Sequence, residues 1–225
     1  MSTIPADSPE TKLTGPLSRE KVLQRMDDPT FWDSFFHCFL STVHPAEFAL
    51  TDKDEKGSQR ETALSAAFQR VFLASGHLLG LSGWFCALEA PVAKKGGRLA
   101  YCDLTLFPWD ACATDPWSVK SQPGEHIRIE VKWRDNNCFG STGITPKLVV
   151  DAADENQSDQ HFALMLVFHG KEDLPIHTAE NWDFSNSEWS KLAIFKEPRR
   201  YAKFSEKYDH FTLAVLKKAP KEGVS

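Results

Sequence analysis

Three side chains on two neighbouring segments suit the hydrolysis of a phosphate diester. The stretch Ile127-Arg128-Ile129-Glu130-Val131-Lys132-Trp133-Arg134 alternates strictly, with Ile127, Ile129, Val131 and Trp133 on one face and Arg128, Glu130, Lys132 and Arg134 on the other. A strand of this kind buries its apolar face and wets its polar one. Here the polar face sets an acid and an amine two residues apart, roughly 6–7 Å along the strand. Upstream, the apolar run Leu99–Phe107 holds one acid, Asp103. Phosphodiester cleavage needs an activated water and neutralisation of the charge that builds on the phosphoryl oxygens, and a divalent cation meets both needs. Mg2+ or Mn2+ takes oxygen ligands and keeps several waters, so the carboxylates of Asp103 and Glu130, with the main-chain carbonyl of Val131, form a sufficient set. The Lys132 ammonium orients or activates the water and offsets carboxylate repulsion when no cation is bound.

These groups need strands to carry them and helices to cover the sheet. Residues 1–17, rich in Ser, Thr and Pro, are expected to be disordered. Ser18 caps a short helix through Met26, and Thr30 caps another over 31–43 with Phe31, Phe35, Cys38 and Phe39 on one stripe. A charged loop covers 51–57. The longest helix runs over about 59–79, with Leu64, Ala67, Phe68, Val71, Ser75 and Leu78 as its buried stripe and Gly80 and Gly83 as its stop. Strands follow at 84–90, 98–107 and 126–134, the first two joined by the turn Lys94–Arg98 and the last two by a loop with Trp109 and Trp117. After the loop 140–143, Pro146 opens a helix through Glu155. The segment 162–169 is apolar throughout, as a central strand would be. Short helices are expected at 186–194 and 198–207, and a last strand at 211–217. The order predicts an α/β sandwich on a mixed sheet, divided as terminus 1–17, helical extension 18–57, α/β domain 58–218 and tail 219–225.

Asp103 on one strand and Glu130-Val131-Lys132 on the next, between helices at 59–79 and 146–155, resemble the PD-(D/E)XK nuclease superfamily over roughly residues 58–170. The resemblance implies a restriction-endonuclease-like αβββαβ core with a mixed central sheet flanked by helices, Mg2+ or Mn2+ as cofactor, and hydrolysis of DNA or, less often, RNA. It implies Asp103 and Glu130 as metal ligands and Lys132 as the catalytic lysine. Many members place a glutamate on the first core helix, where Glu61 stands; Ser58-x-x-Glu61 also reads as a capping box, which accounts for that glutamate without a metal. Acid-x-Lys occurs three times, at Glu10, Asp54 and Glu130, and only the last lies in an alternating strand. Cys102 replaces the usual proline. The 26 residues between Asp103 and Glu130 make 108–125 an insertion, and its Asp110 and Asp115 compete as partners of Asp103.

The formal charge of −5 speaks against a protein that coats nucleic acid, so phosphate binding falls to local groups. The candidates are Arg128 and Arg134 on the site strand, Lys94, Lys95 and Arg98 in the turn, and Arg199 and Arg200, interleaved with Tyr201 and Phe204. Solvated surface charge is the plain alternative for each. Five cysteines without C-x-x-C suggest reduced thiols and a cytoplasmic setting, and the scattered histidines give no zinc spacing. No basic-then-apolar leader and no run of ~18 apolar residues is present, so neither secretion nor a membrane span is expected. The expected partner is nucleic acid, DNA first, with the extension 18–57 available for a homodimer, a partner protein or substrate. The rival reading is a catalytically inactive interaction protein of the same fold, a subunit or inhibitor in a nucleic-acid-processing or defence complex.

Overall fold

The computed structural model describes residues 16–43, 57–93, 99–109, 126–135, 160–169, 188–197 and 210–219. Helix α1 (Arg19–Met26) is capped by Ser18, whose hydroxyl accepts the Lys21 N–H. Helix α2 (Pro29–Thr42) starts earlier than its spacing predicts. Asp28, not Thr30, is the cap: its carboxylate accepts the Thr30 N–H at 2.9 Å, and Pro29 fills the first position, where no donor is needed. Helix α3 (Gly57–Ser75) buries Leu64, Ala67, Phe68 and Val71 but ends at Ser75 rather than 79. The chain turns at Gly76, where a Cβ would lie 2.7 Å from the Phe72 carbonyl oxygen. Leu78, expected on the buried stripe, is therefore 69% exposed, and Leu79 and Leu81 enter the core instead.

Among the described residues six strands follow: β1 (Trp84–Ala93), β2 (Leu99–Pro108), β3 (Ile127–Asp135), β4 (Phe162–His169), β5 (Trp189–Glu197) and β6 (His210–Lys218). They form one mixed sheet in the order β1-β2-β3-β4-β6-β5, with β3 and β4 parallel and every other neighbour antiparallel. This is the mixed α/β architecture the element order implied. Of the helix expected at 186–194, residues 189–194 belong instead to strand β5. A bulge between Lys191 and Ala193 breaks the alternation that would have marked it, and pairing with β6 overrides the helix-forming Lys, Leu and Ala. The expected helices at 146–155 and 198–207 and the loop 140–143 lie outside the described residues.

The helices share one core with the sheet. Met26, Trp32, Phe35 and Phe68 pack in the same cluster as Ile129 and Val131 of β3 and Phe162 of β4. The Trp32 indole donates to the Met26 carbonyl at 2.6 Å, and its ring centre lies 5.5 Å from that of Phe162. Full burial of each such side chain stabilises by ~1.5–3 kcal/mol. The aromatic stripe of α2 is thus interior. The other sheet face is dry too: all of β4 is buried, as its unbroken apolar run required. Among the described residues, no helix is long and apolar enough to cross a membrane, and Cys38, Cys86 and Cys102 are free thiols.

Candidate functional site

Among the described residues, the sheet opens between β2 and β3. β1 and β2 pair from Trp84↔Pro108 to Ala93↔Leu99, whereas β2 and β3 pair only through Leu106↔Ile127, Thr105↔Arg128 and Leu104↔Ile129. β3 then continues beside β4 as far as Asp135. Beyond Ile129 the amides of β3 that face β2 need other acceptors. Two carboxylates supply them. Asp103 Oδ2 accepts the Val131 N–H at 2.7 Å, and Glu61 Oε1, reaching from α3, accepts the Trp133 N–H at 3.3 Å. In an antiparallel strand a residue's N–H and C=O point to the same side, so the Val131 carbonyl faces this opening.

The charged side chains of β3 meet at the same edge. Lys132 Nζ donates to Glu130 Oε1 at 2.5 Å and lies 3.7 Å from Glu61 Oε2. Gln160 Nε2 donates to Glu130 Oε2 at 2.6 Å. Glu130 and Lys132 are only 6% and 5% exposed, so the polar face expected to be wet is buried. An interior strand has both faces covered, and its opposite charges survive there by pairing. α3 packs on the Ile129–Val131 face, whereas Lys132 belongs to the opposite one. Glu61 reaches it around the free edge of β3, so its carboxylate is engaged with the strand. The Glu61 side chain is 26% exposed and Asp103 is partly exposed, so the cluster opens to solvent on their side.

This crowding sets the protonation states. Burial, then the Glu130 charge, pushes the Asp103 carboxyl up to about 7, against the opposing pull of the Val131 N–H and Lys132; Glu61 adds to the rise. For Lys132, burial pulls down, but the carboxylates of Glu130, Glu61 and Asp103 outweigh it and raise the ammonium above its ordinary value. Burial and the charges of Glu130 and Asp103 push the Cys102 thiol up to about 12, so it is a neutral neighbour. His126, buried, with its ring tilted against Phe107 and beside Arg128 and Arg19, is driven down to about 4, chiefly by its burial.

Asp103, Glu130, Lys132 and Glu61 therefore come together. Arg128 is buried in β3, so the plain alternative of a solvated arginine does not hold there. The backbone of Arg134 pairs with Val167. The Arg134 side chain lies outside the described residues, as do Lys94, Lys95, Arg98, Arg199, Arg200, Asp110, Asp115 and Trp117. Trp109 is 61% exposed and meets the Phe85 ring edge-on. Sequence reasoning missed Gln160, which belongs to no motif and reaches Glu130 only through the parallel register of β3 and β4. It also missed Arg19 of α1, whose guanidinium donates to the His126 carbonyl at 3.0 Å and lies 2.6 Å from His161 Nε2.

Among the described residues, no group of three or more His, Cys, Asp or Glu side chains stands close enough to hold a metal ion. The available donors are two carboxylates and a main-chain carbonyl, all oxygen. They fit a hard cation that keeps most of its waters, and they do not fit zinc. A cation would also answer the carboxylate repulsion that raises Asp103. Comparison of the chain with protein-family models, with curated proteins and with solved structures finds no match in any of the three.

Proposed function

We propose that this protein is a metal-dependent nuclease that hydrolyses phosphodiester bonds of nucleic acid, DNA before RNA. One observation carries the reading: Asp103, Glu130 and Lys132 converge where β2 and β3 part, with Glu61 of α3 beside them. The order α3-β1-β2-β3, with β4 parallel to β3, supports a restriction-endonuclease-like core. Asp103, Glu130 and the Val131 carbonyl would hold Mg2+ or Mn2+. When bound, that ion supplies charge neutralisation at the phosphate and a more acidic water. Lys132 stays protonated beside three carboxylates, so it donates hydrogen bonds rather than taking a proton. Its role is to orient the attacking water and to stabilise charge on the phosphoryl oxygens. Arg134, Lys94, Lys95, Arg98, Arg199 and Arg200 are the proposed phosphate contacts; Arg128, expected among them, is buried in β3 and is set aside.

The test is the purified protein with Mg2+ or Mn2+ on plasmid, linear duplex and single-stranded substrates, with Glu130→Ala as control. Cleavage by the parent and none by the variant is expected; equal traces of cleavage in both would end the proposal. A second reading, the inactive interaction protein, is favoured by the burial of the ion-paired Glu130 and Lys132. Mn2+ separates the two readings: it should raise the melting temperature of the nuclease by linkage and leave the inactive protein unmoved.

A further inference from the structure

We propose that Gln160 is a positioning residue that holds Glu130 open for the cation, an inference that rests on the nuclease reading. Gln160 is buried and stands just before β4. Its neighbour His161 is tied on three sides. The His161 N–H donates to the Arg128 carbonyl at 3.0 Å, and its ring Nδ1 accepts the Arg128 N–H at 3.2 Å. The His161 carbonyl accepts the Lys218 N–H at 3.0 Å, and its ring Nε2 lies 2.6 Å from the Arg19 guanidinium. α1, β3 and β6 therefore fix the backbone from which the Gln160 side chain projects. An ionised carboxylate only accepts, so the amide must present its NH2 group to Glu130 Oε2. Lys132 takes the other oxygen. Without the amide, both oxygens of Glu130 are free to turn onto the ammonium, and a closed pair of that kind competes with a metal ion. Gln160 keeps Oε2 off the lysine and fixes the plane of the carboxylate. Outer partners of metal ligands typically contribute about 10–100-fold in affinity.

The experiment is calorimetric titration of the full-length chain with Mn2+. Gln160→Met keeps the volume and removes the donor; it should weaken binding about 10–100-fold. In a Glu130→Gln background the same change should have no effect, since its action passes through Glu130. Equal affinity of parent and variant, or the same loss in both backgrounds, overturns the inference. In the metal-free parent, the Gln160 side-chain amide protons should resonate downfield and exchange slowly, and Glu130→Ala should abolish both signs. Ordinary, fast-exchanging amide protons overturn the inference even where Gln160→Met does not fold. A parent that binds no Mn2+ shows a different failure, that of the nuclease reading itself, and takes this inference with it.

Discussion

Asp103 bears an electrostatic conflict that pH can expose. An unfolded aspartate titrates near 3.9, while burial and Glu130 push the folded carboxyl up to about 7. The folded state therefore binds the proton more tightly. Its contribution to stability is complete below about pH 4 and is lost as pH rises towards 7. Asp103→Asn removes that loss. In urea denaturation without metal, the variant should match the parent near pH 4 and exceed it at pH 8, with the order reversed in excess Mn2+. A variant that is weaker at pH 8 without metal would show that the carboxyl is not raised. Lys132 makes the complementary case. Lys132→Ala strands the buried Glu130 charge and should cost about 3–5 kcal/mol, besides lowering cleavage by orders of magnitude. Glu130→Gln with Lys132→Met removes both charges and should regain most of the stability while staying inactive. A double variant as unstable as Lys132→Ala would mean that the pair is not electrostatically coupled.

At the level of elements, legibility followed the range of the interactions involved. The alternation of β3 and the apolar run of β4 are local patterns, and both strands lie where those patterns put them. β5 was illegible because its bulge erases the period and because its pairing partner lies further along the chain. The dryness of the Glu130–Lys132 face was illegible for a related reason: alternation marks two faces but not what covers each. Gln160 depends on the register of two parallel strands, which no short stretch of residues encodes. β1 adds a backbone irregularity at the site. Glu89 has φ 47° and is skipped in the β1–β2 register, across from Asp103. A non-glycine residue held there costs on the order of 1–3 kcal/mol. Glu89→Gly relieves that strain at the expense of chain entropy, and denaturant unfolding should show a gain of up to about 1 kcal/mol. A loss above that size would assign the Glu89 side chain a stabilising contact.

For the whole molecule, the aromatic residues of α2 decide what counts as one folding unit. Trp32 is fully buried between α1 and β4, so Trp32→Ala should cost about 3–5 kcal/mol. A domain of this kind has only about 5–15 kcal/mol to lose. Unfolding followed by far-ultraviolet and near-ultraviolet dichroism should remain a single coincident transition at a lower midpoint. Two separate transitions would show the N-terminal helices to be an independent module. The two outer strands of the sheet carry a different consequence. On one rim, β1 has the kink at Glu89 and, at Pro91, a position with no N–H to offer. On the other, β5 has its bulge and the exposed lysines 191 and 196. Among the described residues, neither rim is a good template for a foreign strand, which disfavours copies of this chain zipping edge to edge into fibrils.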